Sequence, residues 1–206
     1  MSPSSQPAAH TPAAQPNWEK TLTATTAEQT HNLGVRLAGV LEAGDLLVLS
    51  GELGAGKTTF TQGLGEGLGV RSGVISPTFV LVRIHPNLAD GPRPGGPDLV
   101  HVDAYRLGSA AEIDDIDLEN TLDSSVTVVE WGYDRVEHLS ESRLEIDLHR
   151  AIGLGAGAAS GAGSEPTETL DFDNEDTDEP RTIVMRGYGP RWPAVPEPVA
   201  AFEGKS

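Results

Sequence analysis

Cysteine is absent from the 206 residues, which removes disulfides, thiolate metal sites and thiol nucleophiles together and agrees with a reducing compartment. Bases are scarce. Fourteen Lys and Arg stand against 31 Asp and Glu, a net charge of −17, so most of the surface repels a polyphosphate backbone and tight nucleic-acid binding by this chain alone is disfavoured. Long apolar runs are missing too: no stretch approaches the roughly 18 residues of a membrane span. The opening Met1-Ser-Pro-Ser-Ser-Gln-Pro-Ala-Ala-His10 has neither the basic nor the apolar region of a secretory leader, so no membrane partner is expected and the expected location is cytoplasmic. With 37% hydrophobic residues, the chain can build one core of moderate size, a single domain with tails.

What is present is concentrated in one octapeptide. Gly51-Glu-Leu-Gly54-Ala-Gly56-Lys57-Thr58 fits the G-x-x-x-x-G-K-[ST] phosphate-binding pattern without an error. Its spacing has a physical basis: the glycines let backbone N–H groups curl around phosphates, Lys57 reaches the β- and γ-oxygens, and the Thr58 hydroxyl can ligate Mg²⁺. Gly51, Gly54, Ala55, Gly56, Lys57, Thr58 and Thr59 are the candidate nucleotide contacts. Ahead of the loop, Leu46-Leu-Val-Leu49 reads as a buried parallel strand; behind it, Phe60, Leu64 and Leu68 fall at i, i+4 and i+8, the stripe of a helix packed on a sheet. The bland alternative is a glycine-rich turn with an incidental lysine.

Residues 1–17, rich in Pro, Ala, Ser and Gln, read as a disordered tail. Thr26-Ala-Glu-Gln29 resembles a capping box, and Leu33, Leu37, Val40 and Leu41 make a helical stripe that Gly44 would terminate. Residues 86–97 contain too many breakers for any element, so Val80 to Ile84 and Leu99 to Val102 are expected as strands joined by that loop, a hairpin-like pair. Ser109-Ala-Ala-Glu112 reads as a second capping box opening a short acidic helix, and Val126 to Val129 as a further strand. Between Glu165 and Glu179 stand eight acids and no base, after a Gly/Ala/Ser run. Residues 152–180 are accordingly expected as a disordered insertion between strands near Leu144 to Leu148 and Thr182 to Met185. The domain would run from 18 to 188, with 189–206 a C-terminal tail.

A phosphate loop also needs a carboxylate for the magnesium shell and a group that orients the attacking oxygen. Val126-Thr-Val-Val-Glu130 and Leu99-Val-His-Val-Asp103 are both apolar strands ending in an acid, and ligands of open α/β sheets gather at strand carboxyl ends. Spacing does not decide between Glu130 and Asp103. His101 and Asp103 share a strand face, a spacing compatible with a metal, but a His packed beside the sheet is the simpler reading. Ser76-Pro-Thr-Phe79 occupies the place of a switch segment, from which Thr78 would sense the γ-phosphate; an ordinary turn is the alternative. Trp131 reads as a core platform. None of the three lysines follows an Asn, so the Asn-Lys-x-Asp of Ras-type guanine binders is absent and ATP is favoured.

Read in order, Gly51-Glu-Leu-Gly-Ala-Gly-Lys-Thr-Thr-Phe60, Ser76-Pro-Thr-Phe79, His101-Val-Asp-Ala-Tyr-Arg-Leu107 and Val129-Glu-Trp131 resemble the TsaE family, bacterial ATPases required for threonylcarbamoyladenosine in tRNA. The resemblance spans about residues 22–150 and resumes near Arg181 to Arg186. It implies an α/β, P-loop NTPase-like fold: a mostly parallel sheet flanked by helices, with added antiparallel strands. It also implies Mg-ATP binding with slow hydrolysis, association with the threonylcarbamoyl transferase and its non-catalytic partner subunit, and contact with tRNA only through that complex. Carried over, Thr58 and Glu130 look like the magnesium-side pair, Asp103 like the group that orients water, and Thr26 and Arg181 like borders of the base. Glu52 stands where many relatives have Asp, which keeps the charge. A small-metabolite kinase with the same loop, or an assembly module that binds ATP without turnover, are the competing readings.

Overall fold

The computed structural model describes residues 15–77, 80–107, 118–150 and 179–203. Along the chain run β1 (Trp18–Ala24), α1 (Ala27–Ala38), β2 (Leu46–Ser50), α2 (Lys57–Leu68), β3 (Val82–His85) and β4 (Asp98–Asp103). A single 3-10 turn (Ala104–Arg106), α3 (Glu119–Leu122), β5 (Ser125–Glu130), β6 (Arg143–Arg150), β7 (Arg181–Tyr188) and α4 (Glu197–Ala200) follow. The described strands form one mixed sheet in the order β1-β7-β6-β2-β5-β4-β3. Parallel pairing is confined to β6-β2-β5-β4, and β1, β7 and β3 add to it antiparallel. The sheet is therefore evenly mixed rather than mostly parallel, because the pairs β1–β7, β7–β6 and β3–β4 are antiparallel and balance three parallel ones.

Among the described residues the two long helices lie on one face of the sheet. On that face Leu33, Leu37, Phe60, Leu64 and Leu68 from α1 and α2 pack on Leu47, Leu49, Val126, Val128, Leu144 and Ile146. The other face, with Leu46, Val48, Val100, Val102 and Val129, packs on Leu107, the α3 residue Leu122 and Val136. Alternation along each buried strand supplies both faces. The two long helices touch through glycine: a Cβ on Gly34 would stand 2.4 Å from Phe60 O, and one on Gly63 2.0 Å from His31 O. Among the described residues no helix is long and apolar enough to cross a membrane.

Capping at Thr26 is as expected. Its hydroxyl accepts from Gln29 N–H at 3.1 Å, while the Gln29 side chain accepts from Thr25 N–H at 2.7 Å. The helix stops at Ala38, however, not at Gly44. Val40 and Leu41 fold back on i−3 carbonyls, and two distant arginines claim the carbonyls there: Arg93 donates to Ala38 O at 2.9 Å and Arg191 to Val40 O at 2.7 Å. Residues 189–203, expected within a tail, join the domain instead. Trp192 and Val199 are buried in the core, and Asn17 donates to Gly189 O and Trp192 O. The acidic helix expected from Ser109 lies outside the described residues, as does nearly all of the insertion expected at 152–180.

Candidate functional site

Strand β2 delivers Gly51 to the carboxyl edge of the parallel strands at φ 137°. A Cβ there would lie 2.1 Å from Leu148 O of β6, so only glycine lets the chain turn this close to its neighbour. Gly54 and Gly56 are left-handed too, at φ 77° and 102°. Gly56 caps α2 without any side-chain hydrogen bond, and the first turn of the helix closes only with Phe60 N–H on Gly56 O at 2.9 Å. The preceding N–H groups and the helix dipole thus face outward as a donor set for an anion. Thr58 and Thr59 stand half-buried on this turn, and Ala55 is buried beneath the loop.

Lys57 is the first residue of α2 and is only 5% exposed. Its ammonium donates to Gly51 O at 2.9 Å and Glu52 O at 3.1 Å and lies 4.1 Å from the centre of the Trp131 ring. Burial pulls its pKa below the ordinary lysine value, and Glu130, Asp103 and Glu52 oppose that pull. The two strand-end acids are near enough to act on one charge. Register puts Asp103 of β4 directly beside Glu130 of β5.

The acids have different partners. Asp103 Oδ1 accepts from Tyr105 N–H at 3.0 Å and Oδ2 from the Ser76 hydroxyl at 3.5 Å, which ties the acid to the switch-like segment. Glu130 Oε1 lies 2.8 Å from His101 Nε2, both residues being buried. Next in the chain, Trp131 takes a left-handed backbone at φ 61°, rare for a bulky residue. Its N–H donates to Leu49 O at 2.8 Å, and its ring meets the Tyr105 ring at 5.3 Å. Rather than a core platform, it is a half-buried wall over Lys57.

Thr26 and Arg181 come to the same edge. Ala24 pairs with Arg181 across β1 and β7, and the first turn of α1 abuts the loop where a Cβ on Gly56 would meet Thr30 Cγ2 at 3.6 Å. Thr78 lies outside the described residues. Sequence reasoning missed Arg150, whose N–H donates to Glu52 Oε1 at 2.9 Å and whose guanidinium binds Glu179 at 2.9 Å. A Cβ on Gly54 would stand 3.7 Å from that guanidinium. No local motif marks it, since 98 residues separate it from Glu52.

The residues present fit a magnesium-bound nucleoside triphosphate. Left-handed glycines, open helix N–H groups and a buried ammonium are the donors a polyphosphate requires. Among the described residues no three His, Asp or Glu side chains cluster as a metal cage; Mg²⁺ is usually held by one or two carboxylates plus phosphate and water, which Thr58, Glu130 and a triphosphate would supply.

The class these features define is a mixed α/β protein with a glycine-rich strand–loop–helix beside two strand-end acids. The chain belongs to the TsaE family: the model described as threonylcarbamoyl adenosine biosynthesis protein TsaE matches residues 24–153. A Streptomyces coelicolor relative named tRNA threonylcarbamoyladenosine biosynthesis protein TsaE is 51% identical over 161 residues, covering 78% of this chain and 91% of its own. Its namesake in Bacillus subtilis is 39% identical over 125 residues, covering 60% and 73%. The crystal structure of Bacillus subtilis YdiB matches with a TM-score of 0.57 and 30% identity, over 85% of this chain and 89% of that one.

Proposed function

We propose that the chain is the Mg-ATP-binding and ATP-hydrolysing subunit of the bacterial complex that forms threonylcarbamoyladenosine in tRNA, built on a P-loop NTPase-like fold. The Lys57 ammonium carries this reading. It is buried at a helix start and fixed by two loop carbonyls, with Glu130, Asp103 and Glu52 near enough to act on its charge. Such a charge finds its complement in the β- and γ-phosphates.

When bound, magnesium supplies charge neutralisation along the triphosphate. Thr58 and Glu130 would hold it, and the loop N–H groups would take the phosphate oxygens. Asp103, kept in place by Tyr105 N–H, would orient the attacking water. Thr78 would sense the γ-phosphate from the segment that Ser76 links to Asp103. Thr26 and Arg181 would border the base. The partners are the threonylcarbamoyl transferase and its non-catalytic subunit. With a net charge of −17, the chain would reach tRNA only through them, in the cytoplasm.

Phosphate release, measured for the chain alone and with the two partners, with and without tRNA, tests the proposal. Slow hydrolysis alone, faster in the complex, and partner binding that strengthens in ATP are expected. Submicromolar tRNA binding by the isolated chain at physiological salt, or phosphorylation of a small metabolite without partners, would overturn it.

A further inference from the structure

We propose that His101 is a positioning residue that fixes the carboxylate of Glu130 for magnesium; this rests on the functional reading above. His101 sits two residues before Asp103 on β4, and Asp103 lies beside Glu130 on β5, so the imidazole is diagonal to Glu130 on one sheet face. The ring is fully buried, opposite Val128 on β5 and Arg83 on β3, with His85 near enough to feel a charge on it. Its Nε2 is 2.8 Å from Glu130 Oε1, while Nδ1 is buried with no hydrogen-bond partner.

A polar ring with an orphaned nitrogen is a costly choice for such a place, and an apolar side chain would avoid the cost. The hydrogen bond to Glu130 is what the imidazole obtains in return. Chemistry assigns the tautomer: an ionised carboxylate only accepts, so Nε2 carries the proton, and in the neutral ring the orphan is then a bare lone pair rather than an N–H. The bond also answers a local problem. Asp103 and Glu130 are adjacent like charges, and each gains by turning away from the other. His101 holds Glu130 Oε1 against that turn, and among the described residues Oε2 keeps no hydrogen-bond partner. This is the hydrogen-bonded support that metal-side carboxylates commonly have.

The test titrates a non-hydrolysable ATP analogue into the full chain by calorimetry, in excess Mg²⁺ and in EDTA, for the parent, His101→Met and His101→Gln. The readout is the gain in affinity that Mg²⁺ confers. His101→Met is expected to lose about tenfold of that gain while its affinity in EDTA stays unchanged. Gln can present its own Nε2–H to Glu130, so His101→Gln should keep most of the gain. A folded His101→Met that retains the parent's gain, or a His101→Gln as impaired as Met, overturns the inference. Should His101→Met not fold, His101→Asn, whose amide is too short to reach Glu130 Oε1, takes its place: a loss of about tenfold in the gain supports the role, and a retained gain overturns it. A parent with equal affinities in Mg²⁺ and EDTA overturns the functional reading and the inference with it.

Discussion

Strand β2 has buried charge at both ends, and the two ends handle it differently. At the amino end Asp45 is held by Arg191 Nε at 3.1 Å and Nη2 at 3.2 Å and by Glu42 N–H at 2.8 Å. Nearby, Arg143 Nε meets Glu145 at 2.9 Å and its guanidinium covers the Tyr188 ring at 4.1 Å; burial and Glu145 push the Tyr188 hydroxyl up to about 12. Charge there is answered within the chain. At the carboxyl end Lys57 has carbonyls and an aromatic face, and the acids near it are engaged by Tyr105, Ser76 and His101. One end closes the fold, and the other leaves cationic capacity for a ligand.

Removing Lys57 separates the ends most sharply. Lys57→Ala should slow phosphate release by about 100-fold, near 3 kcal/mol of lost transition-state stabilisation, because the ammonium acts where charge develops. Unchanged hydrolysis would end the assignment of a phosphate loop. The matching change at the amino end is Arg191→Ala, which leaves Asp45 buried without its cation. A loss of about 2 kcal/mol in unfolding free energy is expected, with nucleotide affinity unaltered. Its pH dependence has a definite sign. Burial, outweighing Glu42 N–H and Arg191, raises the Asp45 pKa, so its contribution favours folding below the ordinary carboxylate range and is lost as pH rises through the folded value. Without Arg191 that loss grows, so the gap in Tm between variant and parent should be wide at pH 7 and narrow in acid.

The two acids at the carboxyl end can be set against each other. Glu130→Gln should weaken nucleotide binding about tenfold in Mg²⁺ and little in EDTA, whereas Asp103→Asn should spare binding and lower turnover at least about tenfold. The opposite pattern would exchange their roles. The smallest effect belongs to Glu52, an exposed acid whose pKa is lowered first by the Arg150 N–H. Its contribution is present above the ordinary carboxylate range and fades as pH falls through the folded value. Acidification should therefore lower the protection factor of the Arg150 amide, its exchange rate relative to the free-peptide rate at the same pH, before any global unfolding, and a protection factor flat through that range would disconnect the loop from β6.

What could be read from the sequence was local. The glycine-rich loop is eight consecutive residues whose left-handed glycines and lysine placement follow from spacing, and the apolar runs ending in Asp103 and Glu130 marked two strand ends. The Thr26 cap was legible for the same reason, a hydrogen bond between residues three apart. Helix and tail boundaries were misjudged where distant partners intervene: Arg93 and Arg191 claim the carbonyls after α1, and Trp192 enters the core. Only tertiary structure decided that Asp103 lies beside Glu130, that His101 bonds across 29 residues, that Arg191 meets Asp45 across 146, and that Trp131 turns over Lys57. Sheet register and chain crossovers set those pairings, and a one-residue shift in register would point each side chain to the opposite face.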